Sequence, residues 1–261
     1  MYRFNKCINT FAVPNLANLS QSRESNVDTS EIDKGIVRVH FEDNQKKMKV
    51  QINKDNMKYN YDYAVNNIFP LQLGNGRYVI SIYEYVKDKS YRLFKQESVM
   101  LQLTNENVIY VQPIQLVFWD GSMQAVKVAK ELTKNKKTDI EKIKVIYKYI
   151  TSKISYDEEK AGTVKSGYIP KIDQVLKEEK GICYDYSVLL AAMLRSNGIP
   201  TKLLMGYYNN SSIYHAWNQV YIKEEGKWIT LDTTQDSFNK KIIKNIYYIK
   251  DENKYKIEKY Y

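Results

Sequence analysis

Histidine and cysteine are scarce, with two of each in 261 residues. A structural zinc site needs such ligands clustered at short spacing, and Cys7, His40, Cys183 and His215 do not cluster, so no metal is expected. Neither G-x-x-x-x-G-K-[ST] nor G-x-G-x-x-G occurs, so there is no nucleotide-phosphate motif and no cofactor is expected. Two thiols cannot build a disulfide framework, and the cysteine number assigns no compartment. Long apolar runs are missing too; none approaches the roughly 20 residues that cross a bilayer. The opening MYRFNKCINTFAVP lacks the apolar stretch of about 7–15 residues that a secretion signal needs. No signal is read in this chain, and a trimmed form of an exported protein stays open.

Lysine and tyrosine are plentiful. The balance of 40 Lys+Arg against 30 Asp+Glu gives a formal net charge of +10, and there are 24 tyrosines. A basic balance favours anionic partners such as nucleic acid, a membrane surface or an acidic polymer, that of a cell wall included. The basic residues are scattered as KK and KxK pairs, which favours a solvated surface over a dedicated anion-binding face. Tyrosines beside lysines can stack on bases, yet alternation places most of them in strands. Without a recognised RNA-binding signature, no specific nucleic-acid partner is expected.

Residues 1–33 are rich in Asn, Ser and Gln without a sustained apolar period, and read as a polar leader, mobile or loosely docked. From residue 34 to 116 the chain alternates apolar with polar residues in GIVRVHF, KMKVQI, YVISIYEYV and VMLQL. Turn signals at Glu42-Asp43-Asn44, Gly74-Asn75-Gly76 and Asn105-Glu106-Asn107 separate them, which predicts a small antiparallel, immunoglobulin-like β-sandwich. Over residues 117–261 the period becomes helical. SMQAVKVAKELTKN is expected to start at Ser122 as N-cap, and Thr138 opens DIEKIKVIYKYITSKI. A short helix, KIDQVLKEEK, is expected to end at Gly181. A long one runs from Cys183 through Arg195 and stops at Asn197-Gly198. Three strands follow, TKLLMGYY, YHAWNQVYI and KWITLD, and the Tyr-, Lys- and Ile-rich tail adds one or two more. Helices followed by antiparallel strands give an α+β class.

Cys183 opens its helix just after Gly181. Helix-start N–H groups and the helix dipole favour a thiolate, the form that attacks carbonyl carbon, and the glycine leaves room for a substrate backbone. A lone cysteine is also often a plain buried residue, so His215 and Asp232 carry the weight. If YHAWNQVYI and KWITLD pair as a hairpin, His215 and Asp232 fall on neighbouring strands. The carboxylate then fixes the imidazole tautomer while the other ring nitrogen faces the thiol. Together the three make a nucleophile, a base and an orienting acid. His40, in an alternating strand, is assigned no catalytic role.

The blocks GICYDYSVLLAAMLRSNGIPTKLLMGYY, YHAWNQVYI and KWITLDTT, in that order, resemble the transglutaminase-like superfamily, densely from about Asp139 to Thr234. The resemblance implies a papain-like α+β core over 117–261 and a Cys183–His215–Asp232 triad. It also implies acyl transfer through a thioester on peptide or isopeptide amides of a protein or peptide substrate, hydrolysis being favoured over cross-linking. An extracellular or cell-surface setting is implied as well, with no oligomeric state. Two features depart from the family pattern. Thr233 stands where proline commonly follows the acid, and the LKEEK stretch at 176–180 has no glutamine to serve as oxyanion donor. The oxyanion hole then needs the Cys183 N–H and a second donor. Tyr168 and Gln174 are candidates, although Tyr168 equally fits packing on the cleft wall. Trp217 lies on the same side of its strand as His215, to shield the Cys–His pair or simply to pack. Tyr184 and Tyr186 read as packing residues and Asp185 as an electrostatic helix-start residue. The rival reading keeps the fold without the chemistry: a surface or scaffold protein that binds through the fold and its N-terminal sandwich.

Overall fold

The computed structural model describes residues 25–41, 46–63, 66–238 and 248–261; Cys7, most of the leader and the Glu42-Asp43-Asn44 turn lie outside them. The chain divides into two compact units that part between Ile109 and Tyr110.

The first unit contains β1 (Ser25–Asp28), β2 (Ile36–Phe41), β3 (Met48–Lys54), β4 (Met57–Asp62), β5 (Ile68–Pro70), β6 (Gly76–Lys87) and β7 (Ser90–Leu101). They form two antiparallel sheets of order β1-β2-β5 and β4-β3-β6-β7. The alternation in the sequence explains which faces are covered. Val50, Ile52, Ile80 and Ile82 are fully buried, and Val50 faces Ile82 while Ile52 faces Ile80 across β3 and β6. Such cross-strand apolar pairs are the unit of sheet stabilisation. Rings link strands of the two sheets: Tyr61 meets Phe69 at 5.0 Å and Phe41 meets Phe94 at 5.7 Å. The connections after β2, β4 and β5 switch from one sheet to the other. One part of the leader departs from expectation: β1 is docked, pairing with β2 so that Val27 faces Val39. Backbone pairing needs no side-chain alternation, so the polar sequence gave no sign of it.

The second unit contains α1 (Gln124–Thr133), α2 (Asp139–Lys153), β8 (Ser155–Tyr156), α3 (Glu158–Thr163), α4 (Ile172–Glu178), β9 (Lys180–Gly181) and α5 (Cys183–Arg195). After these come β10 (Thr201–Tyr208), β11 (Tyr214–Ile222), β12 (Lys227–Leu231), α6 (Thr233–Phe238), β13 (Ile249–Lys250) and β14 (Tyr255–Tyr260). Every residue of α5 is buried. Its SVLLAAML run is apolar on all sides, which suits only a helix enclosed by protein. Helices α1, α2, α4 and α6 pack on it together with β10 and β11. The sheet has the order β13-β12-β11-β10-β14 and is antiparallel throughout. Mixed helices and antiparallel strands match the α+β class read from the sequence.

Helix starts show what is local and what is not. At α2 the Glu141 N–H donates to the Thr138 hydroxyl at 3.3 Å while the Glu141 carboxylate accepts the Thr138 N–H at 3.1 Å, a reciprocal cap. At α1 the expectation fails. Ser122 is drawn into a turn on Asp120, its N–H donating to Oδ1 at 2.7 Å, and the helix starts after Met123. The cap comes instead from Asp173 of α4, whose oxygens accept the Gln124 and Ala125 N–H groups at 2.9 and 2.8 Å. Helix α4 likewise ends at Glu178, with Glu179 taking the left-handed turn at φ 52°, and Gly181 is left for another purpose. Gly206 of β10 stands opposite His215. A Cβ there would lie 1.9 Å from the Lys256 carbonyl oxygen, so the close approach of β14 requires glycine.

Replacing Asp173 with alanine uncaps α1 and should cost about 1 kcal/mol, read as a lower urea midpoint. The rate of Cys183 alkylation should stay at the parent's value. A variant as stable as the parent would refute the cap.

Candidate active site

Cys183 is the first residue of α5 and only 4% exposed. The N-cap residue, Ile182, has no side chain able to cap. Asp185, at the third helical position, turns back, and its Oδ2 accepts the Ile182 N–H at 2.8 Å. A Cβ on Gly181 would lie 2.7 Å from the Asp185 Cβ. The space expected to admit substrate backbone is therefore filled by Asp185, and glycine is needed for the cap.

His215 and Asp232 come together through strand register. Asn218 of β11 pairs with Leu231 of β12, which brings Asp232, the next residue, alongside His215. The His215 Nε2–H donates to Asp232 Oδ2 at 2.7 Å. The same carboxylate accepts the Gln235 N–H at 2.9 Å and the Tyr255 hydroxyl at 3.1 Å. Tyr147 of α2 donates to the Asp232 backbone oxygen at 2.8 Å. With Nε2 committed to Asp232, Nδ1 is the other ring nitrogen, and Cys183 lines the same cleft as His215. Trp217 stacks on the His215 ring at 6.0 Å and 17°, and its other neighbour is the Tyr255 ring at 4.9 Å. Trp217 is thus buried between two rings and does not line the cleft. All three candidate residues line a cleft of about 500 Å³ whose walls include Tyr156, Tyr208, Ile213, Tyr214 and Phe238, with Glu158 beside them.

Against known proteins, residues 126–233 match the family model of the transglutaminase-like superfamily. This segment is a transglutaminase-like domain. The chain is 30% identical to YebA of Bacillus subtilis (strain 168), itself uncharacterized, over 126 residues that are 42% of this chain and 17% of YebA. It is also 30% identical to the Kyphoscoliosis peptidase of Mus musculus over 117 residues, 41% of this chain and 17% of that protein. Among solved structures, the red sea bream transglutaminase aligns at a TM-score of 0.31 and 13% identity, covering 76% of this chain and 47% of that one. The match thus spans 17% of the length of each of these two curated relatives.

Electrostatics in the transglutaminase-like domain follow from burial and pairing. Burial alone would favour a neutral His215, but the Asp232 charge, its hydrogen bond and the Cys183 contact outweigh it, raising the ring from 6.5 to about 10. Burial would raise Asp232 as well, and the His215 charge together with its hydrogen-bond donors instead lowers it from 3.8. Tyr156, which lines the same cleft as Cys183, is pushed upward by burial first and then by Cys183.

Two sequence candidates lie elsewhere. The Tyr168 hydroxyl is taken by Asp185, to which it donates at 2.5 Å. Gln174 sits exposed on α4, its Nε2 donating to Glu178 at 2.9 Å. Neither lines the cleft. His40 is exposed on β2, in the first unit. The sequence reading missed Tyr156, Gln235 and Tyr255, and also Thr234, which lines the cleft and whose buried hydroxyl has no hydrogen-bond partner among the described residues. In a chain with 24 tyrosines, residue type alone could not single out two of them. Among the described residues no three His, Cys, Asp or Glu side chains gather as a metal would require, and no helix is long and apolar enough to cross a membrane.

The pair sets a pH window for stability. A histidine whose folded pKa is raised stabilises fully below its unfolded value of 6.5, and that contribution fades as pH climbs through about 10. Asp232, lowered on folding, contributes above 3.8 and loses its contribution as pH falls through its folded value. The unfolding free energy of the parent minus that of His215→Gln should be greatest between 3.8 and 6.5 and shrink towards 10. A difference that stays flat from 6.5 to 10 would show that the ring is not held charged.

Proposed function

We propose that the domain is a thiol-dependent acyl-transfer enzyme acting on peptide or isopeptide amides, with Cys183 as nucleophile, His215 as acid–base and Asp232 as orienting acid. The observation that carries this reading is one imidazole bonded on Nε2 to a buried carboxylate and lining the same cleft as the Cys183 thiol. Cys183 Sγ, its proton already resting on the charged His215 ring at Nδ1, attacks the amide carbonyl. The negative oxygen accepts the Cys183 N–H and the Tyr156 hydroxyl, Tyr156 supplying the second donor that Tyr168 and Gln174 do not. The C–N bond then breaks, the proton on Nδ1 leaves with the amine, and a thioester remains. Water attacks the thioester, giving one proton back through Nδ1, and the acid is released from a regenerated thiol.

Hydrolysis is favoured over cross-linking because a cleft of about 500 Å³ holds both a peptide segment and the water that must reach the thioester. Walls of Tyr156, Tyr208, Tyr214, Ile213 and Phe238 suit a bulky apolar side chain next to the scissile bond. The wider protein's substrates and partners are part of the same proposal, with an anionic polymer supported only by the net charge of +10.

Iodoacetamide should alkylate Cys183 much faster in the parent than in His215→Ala at the same pH. A rate that ignores the substitution points to the scaffold reading instead. Tyr156→Phe should lower kcat on an apolar peptide amide by about 10²-fold, the usual cost of one oxyanion donor, while leaving alkylation unchanged. An unaltered kcat would remove Tyr156 from the mechanism.

A further inference from the structure

A second group of titratable side chains surrounds the start of α5 and takes no part in the chemistry above. Asp185 has no exposed surface. Both of its oxygens are occupied: Oδ1 accepts the Tyr168 hydroxyl at 2.5 Å, and Oδ2 accepts the Ile182 N–H at 2.8 Å and pairs with the Lys160 ammonium at 2.7 Å. Lys160 also donates to the Tyr168 oxygen at 2.6 Å and lies 4.4 Å from the centre of its ring. A buried carboxylate matched this closely by donors is costly to disturb. Gly181 makes room for it by having no Cβ. Lys160 belongs to α3, the helix whose Glu158 and Ala161 form part of the cleft wall. The network thus ties that wall to the turn that carries the nucleophile.

We propose that Lys160, Tyr168 and Asp185 are positioning residues that hold the first turn of α5 so that the Cys183 N–H points at the oxyanion formed on the substrate carbonyl. This rests on the acyl-transfer reading above. The first N–H groups of a helix have no acceptor within it, and Ile182 brings no capping side chain, so the turn has no other side-chain cap among the described residues. A donor serves an oxyanion only if its direction is set beforehand, and a misplacement of about 1 Å costs on the order of 10²-fold in rate. The body of α5 is held independently. At its far end the buried Arg195 guanidinium donates to the Thr201, Gln112 and Tyr261 carbonyl oxygens at 2.8, 3.0 and 2.9 Å. In its middle Asn218 donates to the Ser187 carbonyl at 3.0 Å. Loosening the first turn therefore need not release the helix.

Two reactions of the same sulfur separate a positioning role from a structural one. Alkylation by iodoacetamide forms no oxyanion and reads only nucleophile and base, whereas acylation by p-nitrophenyl acetate passes through a tetrahedral oxyanion. In the full chain, Lys160→Met should slow acylation at least 10-fold and Tyr168→Phe several-fold, with alkylation within twofold of the parent. Lys160→Arg, which keeps the charge on Asp185, should recover most of the acylation rate. Asp185→Asn strands Lys160 and puts folding at risk, so it is read only alongside the other two. Acylation unchanged in Lys160→Met, or acylation and alkylation falling by the same factor, would overturn the proposal. A parent that alkylates readily yet is not acylated would overturn the acyl-transfer reading and this inference with it; variants that match an active parent overturn this inference alone.

Discussion

Asp232 is a carboxylate with 1% of its surface exposed, and much of the second unit serves to keep it paired. Its oxygens take a ring N–H from β11, a backbone N–H from α6 and a hydroxyl from β14, and α2 reaches its backbone carbonyl through Tyr147. Removing one partner of such a buried pair typically costs about 3–5 kcal/mol, because the other charge is left uncompensated. An exposed pair such as Lys153–Glu179, with both side chains nearly half exposed, is screened by solvent and contributes little. Buried charges therefore constrain the fold: four elements must converge wherever Asp232 lies, and the His215 imidazole that it holds is oriented as a result.

Asp185 follows the same rule by another route. It acts on Cys183 through the backbone of the turn rather than through an imidazole, and its donors come from α3 and the loop before α4. Asp185 is itself part of α5, whose SVLLAAML stretch is buried through the hydrophobic effect, and the polar start of that helix reaches the cleft through Cys183.

How much of this could be read in advance depended on distance along the chain. The period of DIEKIKVIYKYITSK and its Thr138 cap are local, and α2 runs over Asp139–Lys153 as they require. TKLLMGYY and YHAWNQVYI coincide with β10 and β11 because β-branched and aromatic residues bounded by turn residues leave little choice. The cap of α1 was not legible, since its acceptor lies 49 residues away. Tyr168 was a fair oxyanion candidate by position, but a buried acid claims its hydroxyl. Tyr255 was hidden in a tail of similar residues, because only the pairing of β14 with β10 carries it to Asp232.

By itself the sequence determined the kinds and order of the longer elements, though not the short α3 and α6, and the residue types able to do thiol chemistry. Hydrophobic period and turn chemistry act over a few residues, and the reactivity of Cys, His and Asp belongs to the side chains themselves. Only the tertiary structure decided which imidazole nitrogen bonds the Asp232 carboxylate, which tyrosines join the cleft and what fills the space beside Gly181. Those outcomes rest on contacts between residues such as Tyr147 and Asp232, 85 positions apart, and on burial that makes each unpaired polar group costly. Neither is a property of any short stretch of chain.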